Sequence, residues 1–136
     1  MSSIRDRLRR STESDPFARL LDMRLVDGGQ GFATVGMDVS NKHMNFLGGG
    51  HGGAIFALAD TAFGMASNSH EKISVGINAN IAYVKGVREG DQLVAEAREI
   101  SRGRKTAVYN VDVTCGETMI ATFTGTVHIT DRDHQN

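Results

Sequence analysis

The chain has no tryptophan, a single proline and a single cysteine in 136 residues. A lone cysteine, Cys115, closes no internal disulfide, so the chain must hold itself together through its own core and fits a reducing compartment. At this length about two-thirds of the unfolded surface is buried on folding, enough for one domain without staples. Neither sign of charge dominates. Fifteen Lys and Arg against sixteen Asp and Glu leave a net charge of -1, which argues against a sequence-independent nucleic-acid binder, since that function needs a basic face. The longest apolar stretch, Gly52 to Ala66, is interrupted by Asp60 and falls short of the roughly 20 residues that span a bilayer. Arg5, Arg7, Arg9 and Arg10 make the N-terminus basic, but no apolar signal core follows them. The expectation is a cytoplasmic domain with no nucleic-acid or membrane partner. What the chain has in excess is glycine, 16 in all.

Three regions differ in pattern. Residues 1–14 are polar and charged, with Ile4 and Leu8 four apart, which reads as a flexible arm or a short amphipathic helix. Residues 15–130 carry the periodic segments and form the single domain, and 131–136 read as a tail. Asp15-Pro16 predicts a helix start, an N-cap followed by proline at the first helical position. Beyond it the period changes to two. Met23–Asp27 and Phe32–Val39 predict a strand pair joined through Gly28-Gly29-Gln30-Gly31. Further on, Ile73, Val75, Ile77, Ala79, Ile81 and Tyr83 share one face of a strand. Alternation also predicts strands over 92–100, 105–114 and 118–129, the last with Met119, Ala121, Phe123, Val127 and Ile129 on one face.

Between the strand pair and these later strands lies Gly50–Asn68, rich in Ala, Leu, Phe and Met and without a β-branched run. It predicts one helix of about four turns, and its apolar character nearly all round predicts burial. A buried helix wrapped by a curved antiparallel sheet is an α+β architecture.

Several residues in this frame are candidates for chemistry. Asp60 stands in the apolar helix, either as a satisfied structural carboxylate or as a group with a task. Gly48-Gly49-Gly50-His51-Gly52-Gly53 stands at the helix start, either as a flexible entry loop or as a bared helix N-terminus whose free amides take an anion. Asn45 either forms the turn or orients a polar group. Arg102, Arg104 and Lys105, with Lys85 and Arg88, read as a solvated turn or as a local basic patch for a polyphosphate. His51 and Asp60 are nine residues apart, a half-turn around a helix and roughly 13 Å along it at about 1.5 Å per residue. One chain cannot aim both at one small group, so a site using both is composite, drawn from two copies related by a twofold axis. The five histidines show no paired metal spacing and no serine sits in a G-x-S-x-G elbow, so neither a metal nor a serine nucleophile is expected.

Asn45-Phe46-Leu47-Gly48-Gly49-Gly50-His51-Gly52-Gly53, followed by Ala54 to Phe63 with Asp60 within it, resembles the hotdog-fold acyl-CoA thioesterases of the PaaI type. The resemblance runs from about residue 17 to 130. It implies a hotdog fold, hydrolysis of aryl or medium-chain acyl-CoA thioesters with phenylacetyl-type groups favoured, and a homo-oligomer, at least a dimer with shared sites and by resemblance a tetramer. Coenzyme A would be part of the substrate, with no separate cofactor. Carried over by position, the resemblance implies that Gly52 gives its backbone N–H to the thioester oxygen, that Asp60 of the partner subunit acts as base or nucleophile, that Asn45 positions water or the carboxyl group, and that His51 shapes the loop. Gly53, Gly76, Asn78 and Tyr83 would line the substrate site, and Lys85, Arg102, Arg104 and Lys105 would meet the coenzyme A phosphates. Where some relatives carry Ser or Thr early in the strand after the helix, this chain has Gly76, leaving Asn78 or Ser74 as substitutes. The alternatives to a thioesterase are a non-catalytic acyl-CoA-binding hotdog module and a hotdog hydratase or dehydratase.

Overall fold

A computed structural model describes residues 3–135. Two short helices open the chain, α1 (Ile4–Ser14) and α2 (Pro16–Leu20). Asp15 separates them and caps the second, its carboxylate accepting from the Ala18 amide at 2.8 Å, as the Asp-Pro pair predicts. The strand pair follows as β1 (Arg24–Gly29) and β2 (Phe32–Asp38). Then come α3 (Gly52–Ser67), β3 (Lys72–Tyr83), β4 (Gln92–Arg102), β5 (Thr106–Cys115) and β6 (Thr118–Asp133). The last strand runs past the tail boundary expected at 130.

The six strands form one antiparallel sheet in the order β1-β2-β4-β5-β6-β3. The fold is thus α+β, a curved sheet around one central helix. The strands after the helix are not a simple meander: β3 pairs with β6 at the far edge, while β4 returns to pair with β2. The connection 84–91 makes that crossing and is tied down on the way. Val87 is buried, and its carbonyl accepts from the Gly50 amide at 2.9 Å, while at the β2 end the Val39 amide donates to the Asp91 carbonyl and the Val39 carbonyl accepts from the Gly90 amide, both at 2.8 Å.

One face of the sheet packs on α3. Ala33, Val35, Leu93, Ala95, Tyr109, Val111, Phe123 and Val127 are all buried there with Ala59, Ala62, Phe63 and Ala66 of the helix. The alternation expected along β6 slips at one place. Met119 is exposed and Ile120 buried, because a register shift between Val113 and Thr114 on the neighbouring strand turns that end by one residue.

Two expectations need correction. The helix is not buried all round: Gly53 and Asp60 are exposed, and Phe56 and Gly64 are only partly covered, so one stripe of α3 faces away from the sheet. The apolar face of β3 is not buried either. Val75, Ile77 and Tyr83 are exposed: the register shift between Gly76 and Asn78 leaves Val75 on the face opposite α3, while Tyr83 falls on the α3 side at the sheet edge.

The N-terminal segment is a helix, and it is anchored. Leu8 is buried at 1% exposure, and the Arg7 guanidinium donates to the carbonyls of Asn68 at 2.9 Å and His70 at 3.3 Å, just past the end of α3. These are carbonyls that a helix C-terminus leaves without partners, and a cation there complements the helix dipole. Among the described residues no helix is long and apolar enough to cross a membrane.

Candidate active site

The loop that leads into α3 is built tightly. His43 is buried, its Nδ1 accepting from the Ser40 amide at 2.9 Å and its Nε2 2.8 Å from the Leu21 carbonyl, so the proton sits on Nε2. Asn45 closes the next turn: its Oδ1 accepts from the amides of Leu47 at 2.9 Å and Gly49 at 3.1 Å, and its own amide donates to the Gly49 carbonyl at 2.7 Å. Gly50 then passes so close to the 84–91 connection that a Cβ would lie 2.1 Å from Val87 Cγ2. No other residue fits there. The glycine cluster is therefore a fixed loop, not a flexible entry.

His51 is the N-cap of α3. Its amide donates to the His43 carbonyl at 2.7 Å, its carbonyl accepts from Ala54 and Ile55, and its Nδ1 accepts from the Gly53 amide at 2.8 Å. That last bond requires an unprotonated Nδ1. It also claims the N–H of Gly53, a residue expected to line the substrate site. Among the described residues, nothing accepts from the Gly52 N–H, the first amide of the helix. A single unclaimed donor at the positive end of a 16-residue helix is suited to a carbonyl oxygen that gains negative charge.

Tyr83, the last residue of β3, crosses this helix start and donates its hydroxyl to the Gly52 carbonyl at 2.9 Å. A shallow groove of about 230 Å³ runs beside it, lined by Gly52, Ile55, Tyr83, Val84 and Lys85. Lys85 therefore stands at the mouth of the groove that Gly52 opens into.

Asp60 lies eight residues beyond Gly52 on the same helix, about 12 Å along the axis. Its side chain reaches solvent, yet the apolar residues around it strip away enough water to raise its pKa above the ordinary carboxylate value. The nearby Asp15 carboxylate adds to that rise. One turn further, Phe63 lies against the strand: a Cβ at Gly76 would meet its ring at 3.2 Å, and one at Gly125 at 2.7 Å. Gly76 thus faces α3 at Phe63 but has no side chain to offer. Ser74 is buried with an Oγ that has no partner among the described residues, and Asn78 is exposed beyond a register shift.

The expected basic patch is not one patch. Thr106 pairs with His128, which pairs with Val75, whereas Tyr83 pairs with Ala121. The Arg102–Lys105 turn is therefore about seven residues along β6 from Lys85 and Gly52, roughly 23 Å at about 3.3 Å per residue. Arg102 is further turned inward, where its charge acts on Glu99 and Tyr109 and its Nη1 is buried. Antiparallel strand order separates residues that look adjacent in composition.

Sequence reasoning missed two contributors, Val87, which fixes Gly50, and Asp15, which acts on Asp60, and it gave no sign of the cluster of His70, Glu99 and Tyr109. In that cluster the Glu99 carboxylate lies 2.7 Å from both His70 Nε2 and the Tyr109 hydroxyl. Each depends on long-range pairing that no local pattern signals, although the Asp-Pro start did place Asp15 at a cap.

The thioesterase superfamily model matches residues 47–122, more than half of the chain. A protein of Archaeoglobus fulgidus is 43% identical over 122 residues, covering 89% of this chain and 79% of that one. The acyl-coenzyme A thioesterase PaaI of Escherichia coli K12 is 34% identical over 117 residues, covering 85% and 84%. The solved structure of the E. coli PaaI protein from the phenylacetic acid degradation operon superposes with a TM-score of 0.87 at 31% identity, covering 91% of each chain. A Streptococcus mutans UA159 protein solved bound to acetyl CoA superposes with a TM-score of 0.76 at 33% identity, covering 79% of this chain and 88% of that one.

Proposed function

The chain belongs to the thioesterase superfamily, with the hotdog fold, and we propose that it is an acyl-CoA thioesterase that hydrolyses aryl or medium-chain acyl-CoA to the free acid and coenzyme A. The observation that carries this reading is the Gly52 N–H, the one amide of the first turn of α3 without an acceptor among the described residues, the Gly53, Ala54 and Ile55 amides all being taken by His51, on the helix that also bears Asp60. Thioesters suit such a spare site. Sulfur donates poorly into the carbonyl, so one preorganised donor and one base suffice.

In the reaction the Gly52 N–H takes the thioester oxygen as it gains charge. Asp60 of the partner subunit draws a proton from water, the water oxygen bonds to the carbonyl carbon, and the C–S bond breaks to release the coenzyme A thiolate. If Asp60 attacks directly, the same bond breaks through an anhydride that water then opens. Single turnover in heavy-oxygen water separates the routes: in the first the label enters the product acid, and only in the second, when water opens the anhydride at the aspartyl carbonyl, does it enter the Asp60 carboxylate. Asn45 keeps the loop closed and His51 holds the helix start.

Three observations support a shared site. Gly52 and Asp60 stand apart on one helix. The α3 stripe that carries Asp60 is open. The long edge strand β3 exposes Val75 at 43% and Ile77 at 60%, a liability that pairing with a second copy removes. With two β3 strands paired antiparallel about their middles, the partner subunit's Arg104 and Lys105 lie about three strands from Lys85, on the order of 14 Å at about 4.8 Å per strand. The coenzyme A phosphates then meet Lys85 and those two residues together. The assignment to coenzyme A is supported by the acetyl CoA bound in the S. mutans relative, and the phenylacetyl preference by the operon of the E. coli one.

Thiol release from a panel of phenylacetyl-, benzoyl-, medium-chain and acetyl-CoA tests the proposal. Turnover with an aryl or medium-chain preference is expected. Binding of a thioether analogue without release of thiol from any member contradicts it and favours an acyl-CoA-binding module.

A further inference from the structure

We propose that Tyr83 is a positioning residue for the Gly52 amide, an inference that rests on the hydrolase reading above. The Gly52 N–H belongs to the peptide unit between His51 and Gly52, and its direction is set by the torsions at Gly52, where that unit joins the next one; neither Gly52 nor Gly53 has a Cβ, and glycine pairs sample backbone torsions freely. A donor that swings loses most of its value, because stabilisation of developing charge depends on the dipole being in place beforehand. Two side chains replace the missing stiffness. Both act on the next unit, joined to the donor's at the Gly52 Cα: His51 Nδ1 takes the Gly53 N–H at 2.8 Å, and the Tyr83 hydroxyl donates to the Gly52 carbonyl oxygen at 2.9 Å. The two bonds grip opposite edges of one peptide plane.

The ring contributes as well as the hydroxyl. A Cβ built on Gly52 would lie 3.3 Å from both Tyr83 Cζ and Oη, so the phenol rests directly against the Gly52 Cα. The two holders have different anchors. His51 belongs to the helix itself, whereas Tyr83 ends β3 and is paired there with Ala121 of β6. Through Tyr83 the helix start is referenced to the sheet, and the free N–H keeps one direction relative to the groove lined by Val84 and Lys85. Tyr83 is 52% exposed, so its hydroxyl can be removed without opening the core.

Tyr83→Phe keeps the ring and deletes the bond. Three measurements on the full protein read the result: kcat and KM for an acyl-CoA, affinity for a thioether analogue, and the 15N order parameter of the Gly52 amide without ligand. Loss of one neutral hydrogen bond predicts a fall in kcat of roughly three- to ten-fold, with KM and analogue affinity held within about two-fold. The Gly52 order parameter is expected to fall as well. A rise in KM and weaker analogue binding with kcat held overturns the inference in favour of direct substrate contact. A fall in kcat with an unchanged Gly52 order parameter also overturns it, as does no change in any reading. If the unmodified protein releases no thiol, the hydrolase reading fails, and the order parameter alone still decides whether Tyr83 holds the amide.

Discussion

Co-expression of an Asp60→Asn chain with an Asn45→Ala chain is expected to restore activity that neither variant has alone. Asp60→Asn removes the base and leaves the loop intact. Asn45→Ala removes the acceptor that closes the loop through the Leu47 and Gly49 amides, and leaves Asp60 intact. If each site combines the loop and Gly52 of one subunit with Asp60 of the other, a mixed dimer has one site with both defects and one with neither. Mixed dimers isolated through two different affinity tags then show about half the wild-type activity per dimer, and an unsorted random mixture about one quarter. If instead Gly52 and Asp60 of the same chain served one site, every site in the mixed dimer would carry one defect and no activity would return. The separation of about 12 Å along α3 is the structural ground for the first outcome. Thiol release from the purified mixed dimers decides between them, and mixed dimers as inactive as their parents refute the shared site.

Burial and the Asp15 charge raise the Asp60 pKa, so the acidic limb of kcat/KM should lie above the ordinary aspartate value of about 3.9. Asp15→Asn removes the charge but keeps a side-chain acceptor for the Ala18 amide, and should move that limb to lower pH; a limb that stays put contradicts the coupling. The sign for stability is opposite to that of a salt-bridged carboxylate. A raised folded-state pKa means that the fold binds the proton more tightly, so ionised Asp60 weakens the fold as pH rises through that pKa. Asp60→Asn should therefore match or exceed the wild-type melting temperature at neutral pH, and a lower one would count against this environment. Gly50→Ala places a Cβ 2.1 Å from Val87 Cγ2 and should destabilise by about 1–3 kcal/mol. Adding Val87→Ala should recover part of that loss in thermal unfolding, and no recovery would mean that the backbone, not this side chain, sets the limit.

The central helix was legible because nothing in 52–67 resists helix and Asn45 to Asp60 carry a dense motif. The strands were legible from alternation, with ends off by at most two residues except at the end of β6, which runs four residues further. Strand order was not. Local alternation does not say that β3 joins β6 while β4 joins β2, since that depends on where the 84–91 connection is pinned by Gly50 and Val87. The basic patch failed for the same reason, as composition near Lys85 and Arg102 carries no distance. The exposed face of β3 looked like core because alternation shows neither the edge position of the strand nor the register shift between Gly76 and Asn78. At the helix start the resemblance named the Gly52 N–H; that the Gly53 amide beside it is taken by His51 is visible only in the coordinates. The N-terminal arm could be read either way, because its anchor, Arg7 on the carbonyls of Asn68 and His70, reaches more than sixty positions along the chain.

The most direct test of the account is the single-turnover rate of thiol release by wild type and Asp60→Asn on one good acyl-CoA substrate, with analogue binding measured in parallel. The account predicts that Asp60→Asn binds the analogue as wild type does and releases thiol about 100-fold more slowly or worse, the scale of a lost general base. A variant that binds normally and turns over within a few-fold of wild type would contradict it.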